Sequence, residues 1–244
     1  MAVQQISDLS LLDGGYQLAG HAKGVTLAVD VAALDTTPVS TTGWVTLIGG
    51  AKTVNVDMTL MADPEAGWDG QTFANLGVAD IPRSLCAGSA DGSVAWLMRG
   101  IALSYVPVEG EPAGLAMARI TGRSSTGPLA RGRLLHPTSV ARSSSSVGTG
   151  RQLGAVVAGK TLYVALHVLT ASGTTPTLDV VLQSDDNSGF TTPTTQVTFS
   201  QRTTTGTHAF GSVAGAITDS HWRISYTIAG TTPSFTFAVV AGIL

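Results

Sequence analysis

The side chains here that could carry acid–base, metal or nucleophilic chemistry are five histidines, sixteen carboxylates and one cysteine. His21, His136, His167, His208 and His221 are scattered, and none has a second histidine at metal-ligand spacing. His167 and His221 fall on the polar sides of strand-like runs, where a solvated or hydrogen-bonded ring is expected. Asp185-Asp186-Asn187-Ser188-Gly189 imitates the start of a calcium loop, but its twelfth position is Gln196 and not the bidentate Glu such loops need. Asp and Asn also favour tight turns through their own backbone bonding, and that reading is preferred. Asp63/Glu65 and Glu109/Glu111 are carboxylate pairs of the type glycosidases use. Both sit among Pro and Gly, where solvated turn charge is the simpler reading. The single Cys86 excludes an internal disulfide and a cysteine-cage zinc site, and reads as a small apolar residue. No Gly-x-Ser-x-Gly elbow, Walker loop, His-Glu-x-x-His or dinucleotide fingerprint is present. The expectation is no enzyme activity: catalytic residues none, cofactor-binding residues none, metal ligands none.

The elements that would position any site are strands. Apolar residues make up 43% of the 244 residues and charged residues only 12%, with 32 Thr and 22 Ser on hand to supply surface hydroxyls. Such a Thr-, Val- and Gly-rich chain reads as mainly β, and it excludes coiled coils and intrinsic disorder. Net charge is −3, without the basic surplus that grips phosphates. The most apolar window, Gly154 to Ala171, is interrupted by Gly159, Lys160 and His167, so no membrane span is expected. Met1 to Leu12 lacks the basic-then-apolar pattern of a secretory leader. The chain is expected to act in a cytoplasm-like compartment or in a particle assembled there.

Val25 to Ala32 and Val54 to Leu60 alternate apolar and polar residues, as half-buried strands do, and Trp44 to Ile48 makes another strand. Ser93 to Val108 and Ala113 to Thr121 read as a long hairpin turning at Glu109-Gly110-Glu111-Pro112. The intervening 61–92 shows little strand pattern, with a short helix expected at Gln71 to Leu76. In the second half, Leu162 to Thr170 and Thr177 to Gln183 read as a hairpin across Ala171 to Pro176. Gln196 to Ser200 makes a short strand. His221 to Ile228 and Phe235 to Val239 read as another pair, turning at Gly230-Thr231-Thr232-Pro233.

Charge and composition suggest two domains. Residues 1–135 hold twelve acids and eight bases, and residues 136–244 hold four acids and five bases. The Ser143 to Gly150 run marks a boundary or crossover near 136–150. The expectation is a β domain over 1–135 and a second β-sandwich over 136–244, with distant repetition of the first as one reading of the second. Between Glu111 and Asp179 lie seven bases and no acid: Arg119, Arg123, Arg131, Arg133, Arg142, Arg151 and Lys160. No aromatic residue interrupts Glu111 to Lys160, so a stacking platform for nucleic acid is absent there, and a subunit-contact role is preferred. Sheets edged with Thr and Ser, without a lysine guard, invite pairing with another chain.

The opening Gly14-Gly15-Tyr16-Gln17-Leu18-Ala19-Gly20-His21-Ala22-Lys23-Gly24-Val25-Thr26-Leu27, with Leu34-Asp35-Thr36-Thr37, resembles the start of tail tube (major tail) proteins of long, non-contractile-tailed bacteriophages. Leu178 to Asp186 and Pro233 to Gly242 resemble the same class. The matches cover about a quarter of the chain. The resemblance implies a β-sandwich or β-barrel tail-tube-like fold with a short flanking helix. It implies a virion homo-oligomer assembled in the host cytoplasm, whose inner sheets join between subunits into a large barrel. Rings of six copies, or of three if both halves are tube domains, would stack around a lumen that conducts DNA without specific binding, with tape measure and other tail proteins as partners and no membrane. The stretch 61–92 would be the long inter-subunit loop. The alternative readings are a head decoration protein, or a receptor-binding, carbohydrate-binding sandwich module of a tail.

Overall fold

The computed structural model describes residues 8–37 and 44–244. The fold is mainly β. In chain order the elements are β1 (Ser10–Asp13), β2 (Tyr16–Gln17), β3 (Ala22–Asp35), β4 (Leu47–Met61), α1 (Gly67–Ala74), β5 (Ile81–Cys86), β6 (Val94–Glu109), β7 (Met117–Ser124) and β8 (Ala130–His136). The short β9 (Ala141–Arg142), β10 (Ser146–Val147) and β11 (Arg151–Gln152) follow, then β12 (Thr161–Asp185), β13 (Thr194–Thr198), β14 (Thr207–Ala214) and β15 (His221–Ile243). All fifteen strands belong to one branched antiparallel sheet. Most of Met1–Leu12, the segment scanned for a leader, and the link between β3 and β4 lie outside the described residues.

The second half is built on one folded ribbon. β12 and β15 pair from Leu162↔Ile243 to Asp185↔His221, and both bend together near 172–176 and 230–234. The two expected hairpins are therefore not hairpins. Ala171 to Pro176 and Gly230 to Pro233 are facing corners of two continuous strands. Gly173 and Gly230 adopt φ of +112° and +124°, which residues with a side chain rarely tolerate. A Cβ at Gly173 would lie 2.7 Å from the Thr232 carbonyl oxygen, and one at Gly230 would lie 2.8 Å from that of Thr175. Past the corner the arms face each other. Leu162, Val164, Leu166 and Phe237 pack against Leu178, Val180, Trp222 and Tyr226 in one core. β14 and β8 flank one arm, and β13, β10 and β11 flank the other.

In the first half β6 serves two layers. Its start pairs with β5 and β8, and Gly100 to Glu109 pairs with β7, as the expected 93–121 hairpin requires. β7 continues into β4 and β3, and this layer covers Leu11 and Met98 with Val54, Val56, Met58, Leu60 and Ile120. Trp44 to Ile48 is not a separate strand. β4 begins at Leu47 and runs unbroken through Gly49 and Gly50.

The stretch 61–92 is also not a bare loop. It contains α1, placed earlier than expected, and β5, which lies inside the sheet between β1 and β6. Pro82 is tolerated there for a geometric reason. Its carbonyl accepts from Gly14 N (3.0 Å), so its missing N–H lies on the β1 side, past the last paired residue Asp13.

The shared sheet curls until its ends touch. Its inner face buries Leu12, Cys86, Leu97, Leu134, Ala165 and Val240, drawn from both halves. The seam is polar. Ser84 Oγ lies 3.0 Å from His167 Nε2, Gly14 O accepts from His208 Nδ1 at 3.0 Å, and Gln71 of α1 donates to Gly14 O and to Gly206 O. His167 is therefore not on a solvated face but fully buried, because the curl brings β5 over it.

Candidate assembly surface

The histidines, Asp185 and Cys86 singled out in the sequence each sit in local structural contacts. His136 is buried and stacked on Phe237 (4.0 Å between centroids), donates from Nδ1 to the Phe237 carbonyl, and is pushed down to about 4 mainly by burial. Burial, helped by nearby His208, pushes His167 down to about 3. His21 packs on Trp68, and His221 meets Ser220. All five rings thus have structural neighbours, and no group of three or more metal-ligating side chains gathers among the described residues. The Asp185 carboxylate is spent on its own loop, accepting from Asn187 N, Asn187 Nδ2 and Thr192 N. Burial pushes the Cys86 thiol up to about 12, so it stays protonated and unreactive at neutral pH. Glu109 pairs with Arg119 at 2.9 Å, and the Asp63/Glu65 pair precedes α1.

What the chain does present is uncovered apolar surface on strands. β3 runs for 14 residues and pairs only with β4, so its outer edge is open among the described residues. β4 in turn meets β7 only from Asn55 to Met61. Beyond that point the outer part of β3 and β4 is a two-stranded ribbon standing off the body. Sequence explains why it forms: Val29, Val31 and Leu34 favour strand, and the register runs Val29↔Val54 and Leu34↔Ile48. Sequence also explains why it is unsatisfied. Val29, Val31, Leu34, Leu47 and Ile48 each remain about half exposed, and Trp44 beside them is 84% exposed. A two-stranded ribbon is marginal in water by itself, and here apolar side chains stand exposed on both of its faces, Val29, Val31 and Leu47 on one and Leu34 and Ile48 on the other, as at a contact site.

A second patch lies on and after α1. Trp68 buries one face of the helix in the core and Gln71 pins it to both halves, which leaves Phe73 72% exposed beside Leu76 and Val78. Burial, with the Asp69 carboxylate it donates to, pushes the Tyr105 phenol up, so the phenol stays protonated. This second patch falls within 61–92, the stretch expected to reach a neighbouring subunit, and the β3–β4 ribbon is exposed apolar surface outside it. The seven bases divide. Arg119 and Arg151 pair with Glu109 and Asp91, while Arg131 and Arg133 stand exposed on β8 without an ion pair among the described residues. The one helix described, α1, has eight residues, and no helix is long and apolar enough to cross a membrane.

No protein-family model matches the chain, and no curated protein matches it. Among solved structures, a chain from the virion of the native gene transfer agent particle is similar over 53% of this chain and 98% of its own, at 17% identity and a TM-score of 0.42. A chain from the PVC extracellular contractile injection system, in its extended sheath–tube complex, is similar over 52% of this chain and 90% of its own, at 9% identity and a TM-score of 0.41. The SPP1 Dit (gp 19.1) protein, described as a paradigm of the hub adsorption apparatus in phages infecting Gram-positive hosts, is similar over 97% of this chain and 99% of its own. Its identity is 13% and its TM-score 0.34. The mainly-β class stands on this chain's own strands.

Proposed function

We propose that this chain is a structural, non-enzymatic subunit of a phage-type tail, and within that class a tube protein of the long, non-contractile kind. One observation carries the reading: the open 14-residue edge of β3 leading into a bare apolar ribbon. Unpaired edges and uncovered apolar strands are resolved by pairing with another chain, and a head-to-tail contact between identical chains closes into a ring or grows into a filament. The first half supplies the tube module, and 136–244 forms a second sandwich joined to it through the curled sheet. Each chain carries one such ribbon, which in the class it resembles implies six copies per ring. Stacked rings would conduct DNA toward the host through their lumen. A net charge of −3 and a Thr- and Ser-rich surface suit a conduit that does not retain its cargo. Negative-stain imaging of the purified protein over a concentration series tests the reading. Rings or tubes are expected. A monomer at every concentration refutes it, as does tight duplex binding at about 150 mM salt, where nonspecific phosphate contacts are already weak.

A further inference from the structure

Two short segments carry opposite charges at the same spacing. Arg131-Gly132-Arg133 lies in β8, and Glu109-Gly110-Glu111 forms the tip between β6 and β7. In a strand, residues two apart point to the same face about 7 Å apart, so Arg131 and Arg133 present their charges together, while Glu109 ends β6 and Glu111 follows two residues on in the exposed turn. The basic side is rigid. A Cβ on Gly132 would lie 1.8 Å from the Ala241 carbonyl oxygen, so β8 is clamped against β15 and the arginines have a fixed base. They line an open cleft of about 220 Å³ with Val94, Gln152 and Leu153. Arg133 donates to the Gly92 carbonyl at 3.1 Å. Neighbouring Asp91 is already committed to Arg151, so it does not neutralise the pair.

The acidic tip has matching chemistry. Val108 is 59% exposed and Leu115 is 56% exposed beside the two glutamates, which gives an apolar flank for Val94 and Leu153. Glu111 makes no ion pair among the described residues, and the Glu109–Arg119 pair is half exposed, so exchanging that partner costs little. We propose that the Glu109-Gly110-Glu111 tip of one copy docks in the Arg131/Arg133 cleft of the next copy. The inference rests on the tail-subunit reading and names a contact separate from the β3–β4 ribbon. Tip and cleft lie at different places on the chain, so the contact can repeat head-to-tail from copy to copy, as ring closure requires.

Charge exchange tests it on the full chain by sedimentation velocity and imaging. Glu109→Arg/Glu111→Arg and Arg131→Glu/Arg133→Glu are each expected to weaken assembly at least tenfold in concentration, while circular dichroism shows them folded. Mixed in equal amounts they should assemble again, because each supplies the partner the other lacks. Wild-type assembly should also weaken between 0.1 and 1 M salt, as the screening length falls from about 10 to about 3 Å. Should a double variant fail to fold, Glu111→Arg and Arg133→Glu replace it in the same mixing design. Either double variant assembling like wild type overturns the contact, and so do two folded variants whose mixture stays unassembled. In both cases the tail-subunit reading survives if wild type forms rings, whereas a monomeric wild type ends both.

Discussion

Leu34 and Ile48 face each other across the β3–β4 ribbon, and they offer the sharpest separation of folding from assembly. They are 49% and 53% exposed, so about half of each side chain is still in contact with water in the isolated subunit. Full burial of such a side chain is worth roughly 1.5–3 kcal/mol, so covering the remaining half contributes about 1 kcal/mol each. Replacing both by lysine should therefore cost assembly about 2 kcal/mol, a shift of roughly thirtyfold in the concentration at half assembly. Lysines buried in the contact would add to that. The folded subunit should hardly notice, because exposed substitutions away from special features usually change stability by less than about 0.5 kcal/mol. Sedimentation velocity over a concentration series reads the first quantity, and urea unfolding of the dilute subunit reads the second. Unchanged assembly would refute the argument. So would a loss of subunit stability as large as the loss of assembly, because the ribbon would then serve the monomer's own fold.

Three further outcomes follow from the seam and the corner. His136 and His167 have folded values of about 4 and about 3, below the ordinary 6.5, so between those limits the unfolded chain binds more protons than the folded one. Stability is therefore full above about pH 6.5 and falls as pH drops toward 4 and then 3, by on the order of 3 kcal/mol for each ring; a flat urea midpoint from pH 7 to 4 contradicts this. Arg83 and Asp13 form an ion pair at 3.0 Å with side chains 7% and 12% exposed, so Arg83→Met strands a buried carboxylate and should cost about 3–5 kcal/mol in the same unfolding assay, with no effect if the pair is solvated. Gly230→Ala places a Cβ 2.8 Å from a backbone oxygen at φ +124°, and a loss of at least about 2 kcal/mol is expected; a neutral result would mean the corner can open.

The sequence made the β class legible, and it made single strands legible wherever one face is buried. Trp222, Ile224, Tyr226 and Ile228 alternate with Arg223, Ser225 and Thr227, and the burial follows that alternation. β5 was illegible because Ile81 to Cys86 has a proline, an arginine and a serine and no alternation. Arg83 and Ser84 are nevertheless both buried, since Asp13 and His167 satisfy them from opposite sides of the strand. Those partners lie 70 and 83 positions away, and no local pattern announces them. The same holds for His167. Alternation set it among polar positions, and only the curl of the sheet makes it interior.

The corner shows why local signals named the right residues and the wrong structure. Gly173-Thr174-Thr175-Pro176 and Gly230-Thr231-Thr232-Pro233 are the same four residues, and Thr175 and Thr232 both adopt φ of +49°. A glycine at positive φ followed by proline is what a hairpin turn uses, but two strands that bend together need the same backbone freedom at the same place. What distinguishes the cases is where hydrogen bonds go. In a hairpin Val168 would pair with the arm after its own turn, whereas here it pairs with Phe237, and Leu178 pairs with Ile228. One ribbon folded at matched corners brings two sheet layers together without a loop crossing between them. It leaves a rim of exposed Thr and Ser at the fold, whereas the β3–β4 ribbon carries exposed Val29, Val31, Leu34, Leu47 and Ile48. A polar rim here and an open apolar edge there are two unlike surfaces, and unlike surfaces are what a contact repeated from copy to copy would use.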